Sequence, residues 1–277
     1  MTTMTGSQSP LASTARWTAA VRAMGNDRAD RLLADPWAAA LAGEEGAAWL
    51  AHRPVDSVIP IALRTRYFDD FLQGIANQQG IGQIVLLAAG LDTRAFRLQW
   101  PEGTRFFELD QPGVLERKEV ILLTSGAKPG CARQSIAADL AGVWKEALMS
   151  SGFNPQELSC WLLEGFSFYI LSEIIVQIIT EVTRLAALGS WLGCDVINQA
   201  VLTSPWTKPW VDMQAQAGAP WIGTLDDPEG FLANLGWTAN LTQAGQPDAN
   251  YGRWTLPVIP TKMANMPHNW LVTARKE

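Results

Sequence analysis

The chain has 277 residues, of which 48% are hydrophobic and 17% are charged, and this composition excludes a disordered protein. The formal net charge is −6 and no run of basic residues occurs, so we expect no nucleic-acid partner. The length fits a single domain over residues 1–277, built from one large α/β unit with additional segments.

Cysteine usage and hydropathy indicate in which compartment of the cell the protein is expected. Cys131, Cys160 and Cys194 lie far apart, which argues against a disulfide framework and against a zinc site. The N-terminus is polar, and no run of eighteen apolar residues occurs anywhere. We therefore expect a cytoplasmic protein with no membrane partner and no bound metal.

Residues 11–80 are predicted to form an N-terminal helical cap. The segment LASTARWTAAVRAM follows a Ser/Pro cluster, and either Ser13 or Ser9 is a suitable N-cap. A second helix is expected before the Asp35-Pro36 pair. The later segment VIPIALRTRYFDDFLQGIANQ has apolar residues at three- and four-residue spacing, as in an amphipathic helix.

Residues 81–197 alternate between short apolar runs and helical patterns. Strands separated by helical crossovers form a parallel sheet with helices on both faces. The predicted fold is therefore a doubly wound, mostly parallel α/β sheet. Its expected strands are residues 83–88, 105–110, 133–140, 159–165 and 191–197.

The last third of the chain differs in character. Residues 198–268 are predicted to supply a lid and the substrate side, including a helix followed by a strand within FLANLGWTANLT, and residues 269–277 form the last strand. Late tryptophans suit either a pocket for a ring-shaped ligand or an ordinary core. They are Trp206, Trp210, Trp221, Trp237, Trp254 and Trp270.

The most informative motif is VLLAAGLDTRAFRL, in which a buried strand leads into Gly90. A glycine allows a tight turn and close approach of a ligand, and Asp110, 20 positions later, is placed to bind ribose hydroxyls. A nicotinamide-dependent oxidoreductase would need G-x-G-x-x-G to hold a pyrophosphate, and this chain has one glycine there. A nucleoside without phosphates, such as S-adenosylmethionine, fits better.

Two further acidic residues follow predicted strands. Asp139 and Glu164 end the third and fourth strands, where parallel strands open onto one crevice. Each could instead stabilise the start of a helix. Acidic residues at the ends of three neighbouring strands together favour a ligand site.

The blocks AAGLDTRAFRL, FELDQPGVLERK, ADL and LLEGFSFYI, in this order and spacing, resemble the leucine carboxyl methyltransferase superfamily. They are similar to its bacterial branch, which includes polyketide carboxyl O-methyltransferases of the tetracenomycin type. The resemblance covers roughly residues 10–275. It implies a Rossmann-like class I fold and an S-adenosylmethionine-dependent O-methyltransferase that acts on a small, aromatic or polyketide-like acceptor.

The resemblance also implies roles for residues that match the family's motifs. Arg64, or otherwise Arg66, would bind the methionine carboxylate of the cofactor, and Glu164 would contact its amino end. Gly90 and Asp110 would hold the turn and the ribose. Ala88 and Ala89 would line the cofactor at the turn, and Asp139 and Leu140 would lie beside the adenine. Relatives often have glycine at the position of Ala88.

The acceptor determines how much proton chemistry the reaction needs. A carboxylic acid with a pKa near ~4 is already ionised at neutral pH, whereas a phenol near ~10 needs a base. The candidates on the substrate side are Arg253, to pair with an acceptor carboxylate, Tyr251 beside it, and His268, which could serve a phenol or be structural. Tyr169 is a weaker candidate.

Three alternatives remain at this point. The first is the nicotinamide-dependent oxidoreductase on the same sheet. The second is a non-catalytic protein that retains a nucleoside pocket, and the third is a methyltransferase that acts on a protein C-terminal carboxylate.

Overall fold

A computed structural model describes residues 10–26, 28–53 and 57–277. Its helices and strands alternate as predicted along most of the chain. The helices are α1 Pro10–Met24, α2 Ala38–Ala51, α3 Ile59–Gln79, α4 Arg94–Arg97, α5 Pro112–Thr124, α6 Lys145–Ser150, α7 Ser172–Leu185, α8 Gln199–Thr203, α9 Lys208–Gln216 and α10 Pro228–Asn234. The strands are β1 Gln83–Leu87, β2 Arg105–Asp110, β3 Ala132–Ala137, β4 Ser159–Leu163, β5 Trp191–Ile197, β6 Trp237–Thr242 and β7 Asn269–Lys276.

The seven strands form one sheet in the order β3-β2-β1-β4-β5-β7-β6. The first five strands are parallel, and β7 runs antiparallel to both β5 and β6. The prediction of a doubly wound, mostly parallel α/β sheet is confirmed. The chain order reverses between β1 and β4, and in open α/β sheets ligands bind beside that switch, at the carboxyl ends of the strands.

Strand β1 shows why the core has two halves. All five of its residues are buried, and successive side chains of a strand point to opposite faces of the sheet. Val85 and Leu87 pack into one apolar cluster with α7, while Ile84 and Leu86 pack into a second cluster with α3. Burial on both faces explains the continuous apolar run in the sequence.

The helical cap differs from the prediction at two points. Ser13 lies inside α1, which begins at Pro10, and Ser9 lies outside the described residues. The Asp35-Pro36 pair precedes α2 and does not end a helix, because the Asp35 carboxylate accepts a hydrogen bond from the Trp37 N–H, 3.3 Å away, and turns the chain there.

The later segments contribute both to the sheet and to the surface. Residues 198–268 contain α8, α9, α10 and the edge strand β6. The role of part of this segment as a lid stays a prediction. Within the described residues, no helix combines the length and the hydrophobicity needed to cross a bilayer.

Candidate active site

A cavity of about 430 Å³ lies at the carboxyl ends of the parallel strands. Its wall includes the turn after β1 and the residues that end β2 and β4. The predicted residues Arg64, Ala88, Ala89, Gly90, Asp110, Asp139, Leu140 and Glu164 all line it. The fold therefore brings together eight of the nine residues proposed to bind the cofactor, and their individual roles stay predictions.

The turn after β1 is closed by Asp110. Gly90 has φ 51°, and its N–H donates to Asp110 Oδ2 over 2.6 Å, while the Gln111 N–H donates to Oδ1 over 2.7 Å. Ala88 also has a positive φ, 53°, a conformation that favours glycine and explains why glycine suits this position. Burial raises the pKa of Asp110, against the effect of the two backbone donors.

Arg64 is held in the cavity wall by two carboxylates. Its Nε is 2.9 Å from Glu164 Oε1, and its Nη1 is 2.9 Å from Asp195 Oδ2. Gly165 has φ 69°, and a Cβ there would lie 2.9 Å from Arg64 Nη2, so a larger residue would displace the guanidinium. Sequence reasoning missed Asp195, although an acidic residue inside the apolar strand β5 was a usable signal.

A second arginine, Arg94, lies behind the first and was also missed. Its guanidinium is 2.6 Å from Asp69 and from Asp92, and 2.7 Å from Glu164 Oε2, and its side chain is 2% exposed. Burial opposes the charge of Glu164, but Arg94 and Arg64 lower its pKa below the ordinary value. We call this set the charged cradle: Arg64, Asp69, Asp92, Arg94, Glu164 and Asp195.

Asp139 and Leu140 form the edge of the cavity next to β3. Asp139 is exposed and accepts a hydrogen bond from the Ala141 N–H over 3.0 Å, while Leu140 is 5% exposed. The helix N-cap considered for Asp139 from the sequence is not observed, because the next helix, α6, begins at Lys145; Asp139 instead stabilises a turn and lines the cavity.

The structure does not place Arg66 in the cavity wall. Its guanidinium pairs with Asp70 over 2.9 Å and donates to the Leu32 carbonyl. Residues two positions apart on a helix point in different directions, so Arg64 and Arg66 cannot both face the cavity. Arg64 is the better candidate of the two.

The three side chains proposed for the substrate side also lie outside the cavity wall. The Tyr251 hydroxyl donates to Asp70 over 3.0 Å, and Arg253 pairs with Asp30. His268 is buried between Gln243 Oε1 and the Met263 carbonyl, and its ring stacks on Trp270. These contacts hold the last loop in place, so the catalytic roles of the three residues stay predictions, and the mechanism proposed below does not use them.

Aromatic side chains cover another part of the cavity. We call this set the aromatic wall: Trp17, Tyr169, Trp210, Trp221 and Trp254. Of the late tryptophans, Trp237 and Trp270 belong to the core, and Trp206 is 71% exposed. Burial raises the pKa of Tyr169, so its hydroxyl is protonated at neutral pH.

The sequence profile of the leucine carboxyl methyltransferase family matches residues 15–183, more than half of the chain. The chain belongs to this family. The prediction made from the GLDTR and ELDQP motifs is therefore confirmed. The alternative of a nicotinamide-dependent oxidoreductase is not supported.

Sequence similarity to individual relatives extends beyond residues 15–183, the region that the family profile matches. A protein of Mycolicibacterium smegmatis is 35% identical over 274 residues, which cover 94% of this chain and 88% of the relative. A protein of Streptomyces coelicolor is 32% identical and covers 90% of this chain and 93% of its own length. Both are named as S-adenosyl-L-methionine-dependent methyltransferases.

Solved structures agree on the fold. A DUF574 family protein of Streptomyces avermitilis superposes with a TM-score of 0.61 at 12% identity and covers 95% of this chain and 97% of its own. A protein of Thermobifida fusca named as a methyltransferase gives a TM-score of 0.60 at 17% identity, covering 95% and 94%.

Proposed function

We propose that the protein transfers the methyl group of S-adenosylmethionine to a carboxylate oxygen of a small, aromatic or polyketide-like acid. The coarser part of this statement rests on the family and its relatives: the protein is an S-adenosylmethionine-dependent methyltransferase. The O-methyl chemistry and the class of acceptor are the proposal. We further propose a cytoplasmic location and no nucleic-acid partner, which an acidic chain favours.

The charged cradle and the β1 turn fit the cofactor. Arg64 Nη2 makes no hydrogen bond to the described residues, so it is available for the methionine carboxylate, and bidentate arginine suits that group. Asp110 offers carboxylate oxygens beside the turn, which supports its assignment to the ribose hydroxyls. When bound, S-adenosylmethionine would supply a methyl group on a positively charged sulfur: the acceptor oxygen bonds to the methyl carbon in line as the carbon–sulfur bond breaks, and S-adenosylhomocysteine is the leaving group.

One observation supports a carboxylate as the acceptor. Among the described residues that line the cavity there is no histidine, lysine or cysteine. Each lining carboxylate already accepts a hydrogen bond, and these are Asp92, Asp110, Asp139 and Glu164. Tyr169, with its raised pKa, is a donor at neutral pH and no base.

A site without a free base suits an acceptor that is ionised on its own. A carboxylic acid meets this condition at neutral pH, and a phenol does not. The protein's contribution is then to position the acceptor oxygen and to exclude water, which the aromatic wall supports.

The test uses matched pairs of acids and phenols on the same ring system, beginning with 2-naphthoic acid and 2-naphthol. We expect methyl transfer to the acid, with a product that releases methanol in mild alkali, because an ester is hydrolysed and an aryl ether is not. The rate should be nearly constant from about pH 6 to pH 9, since the acid is ionised throughout.

Methylation of phenols in preference to acids across one- to four-ring pairs, with a rate that rises with pH, would contradict the proposal. A peptide that ends in a free carboxylate is tested as an additional acceptor. Preferential methylation of that peptide would assign the protein to C-terminal methylation.

A further inference from the structure

The cavity wall contains a buried amide that the cofactor site does not use. Gln214 belongs to α9 and is 3% exposed, and it lines the cavity together with Trp210 and Met213 of the same helix. Residues three and four apart share one face of a helix, so this face of α9 is the one turned to the cavity.

The carbonyl oxygen of this amide lacks a partner. Gln214 Oε1 is buried and makes no hydrogen bond to the described residues. A buried acceptor left without a donor destabilises the folded state, and leucine would fill a similar space without that cost. The outer side of α9 shows no such deficit, since Lys208 and Asp212 pair there over 2.9 Å.

Donors in the same cavity wall are also without partners. The indole N–H groups of Trp17, Trp221 and Trp254 are buried and bond to no described residue. Most of the cavity is apolar, and the unpaired acceptor of Gln214 lies in the same wall as these unpaired donors. Such a set complements an apolar molecule that carries both hydroxyl and carbonyl or carboxylate oxygens.

We infer that Gln214 selects the methyl acceptor by accepting a hydrogen bond from a hydroxyl group on its apolar body. The substrates are then hydroxylated aromatic or polyketide-like carboxylic acids, and acids that lack the hydroxyl are poorer substrates. This inference rests on the proposed function, because it describes the acceptor of the same site. A site that hydrogen-bonds a substrate hydroxyl rejects the analogue without it far more strongly than an apolar pocket does.

The experiment compares wild type with Gln214→Leu, using 2-naphthoic acid and its monohydroxy isomers as probes. Binding of each acid to the protein saturated with S-adenosylhomocysteine is measured by calorimetry, and methyl transfer is measured separately. We expect the best hydroxy acid to bind wild type about 10- to 100-fold more tightly than 2-naphthoic acid. In Gln214→Leu this preference should fall to within about threefold.

Gln216→Leu is the matched control, since it makes the same change at an exposed position of α9. It should retain the wild-type preference. Gln214→Leu should melt no lower than wild type, because it removes an unpaired buried oxygen.

An unchanged preference in Gln214→Leu would overturn the inference and assign the amide to a buried water. Weaker binding of S-adenosylhomocysteine in this variant would overturn it too, by assigning Gln214 to the cofactor. Failure of every acid to bind would also overturn it. A hydroxyl preference that depends on Gln214, without ester formation, would leave the inference standing and contradict the proposed carboxyl chemistry.

Discussion

The charged cradle and the aromatic wall border the same cavity but satisfy their polar groups differently. In the charged cradle, Arg64 and Arg94 meet four carboxylates within 2.9 Å. In and around the aromatic wall, the polar atoms of Trp17, Gln214 and Trp254 have no partner among the described residues. The difference teaches that the charged cradle is held by the protein's own ion pairs, whereas the aromatic wall leaves polar atoms that, under our proposal, the acceptor completes.

The strongest way to break this comparison is to remove one cation from the charged cradle. Arg94→Met leaves the largely buried Asp92 without an ion-pair partner among the described residues, whereas Asp69 keeps Arg97 and Glu164 keeps Arg64. We expect a loss of about 3–5 kcal/mol in the free energy of unfolding, measured by urea denaturation. Arg184→Met, which removes an exposed arginine paired with Glu181, should change it by less than about 0.5 kcal/mol. A comparable small loss in both variants would show that the charged cradle does not support the fold.

The second prediction concerns the ribose assignment. Asp110→Ala removes the carboxylate that closes the Gly90 turn and leaves two cofactor hydroxyls without an acceptor. We expect S-adenosylhomocysteine to bind about 100-fold more weakly by calorimetry. Gln214→Leu provides the contrast, because a change on the acceptor side should leave this affinity near wild type. Unchanged affinity in Asp110→Ala would remove the ribose assignment.

A third prediction uses pH to separate two carboxylates of the cavity. Burial raises the pKa of Asp110, whereas Arg94 and Arg64 lower that of Glu164 although burial opposes them. If Asp110 binds the ribose as proposed, binding needs its carboxylate ionised, and we expect the affinity for S-adenosylhomocysteine to be full above the pKa of Asp110. It should fall about tenfold per pH unit below that pKa. In Asp110→Asn this loss of affinity at low pH should be absent. If the loss persists, the titrating group is a residue other than Asp110.

The smallest expected effect comes from the last loop. Arg253→Met and Tyr251→Phe remove contacts to Asp30 and Asp70, both outside the cavity. We expect kcat with the best acid to stay within about twofold of wild type and KM to rise by a few-fold at most, since exposed pairs contribute little. A loss of kcat by 100-fold or more in either variant would restore these residues as catalytic candidates.

Several elements of the site were predictable because they depend on local sequence. The apolar run of β1 ends at Gly90, and Asp110 follows 20 residues later at the end of β2, so parallel pairing brings them together. Arg94 was not found, because an arginine within GLDTRAFRL looks like a solvated helix residue. Its burial depends on Asp69 of α3 and Glu164 after β4.

The residues of the last loop, in contrast, could not be placed relative to the cavity from local sequence. Tyr251 and Arg253 were proposed for the substrate side from their neighbours in NYGRW. Their partners Asp70 and Asp30 are 181 and 223 positions away, and no local pattern reveals such contacts. Trp254, the next residue, does line the cavity.

By itself, the sequence determined the alternation of strands and helices, the family and the glycine turn that borders the cavity, because periodicity and short motifs encode local backbone geometry. Only the tertiary structure decided which arginines are buried, which tryptophans face the cavity and which polar atoms lack partners. The physical reason is that pairing and burial are set by residues far apart in the chain, whose approach depends on the packing of the whole sheet.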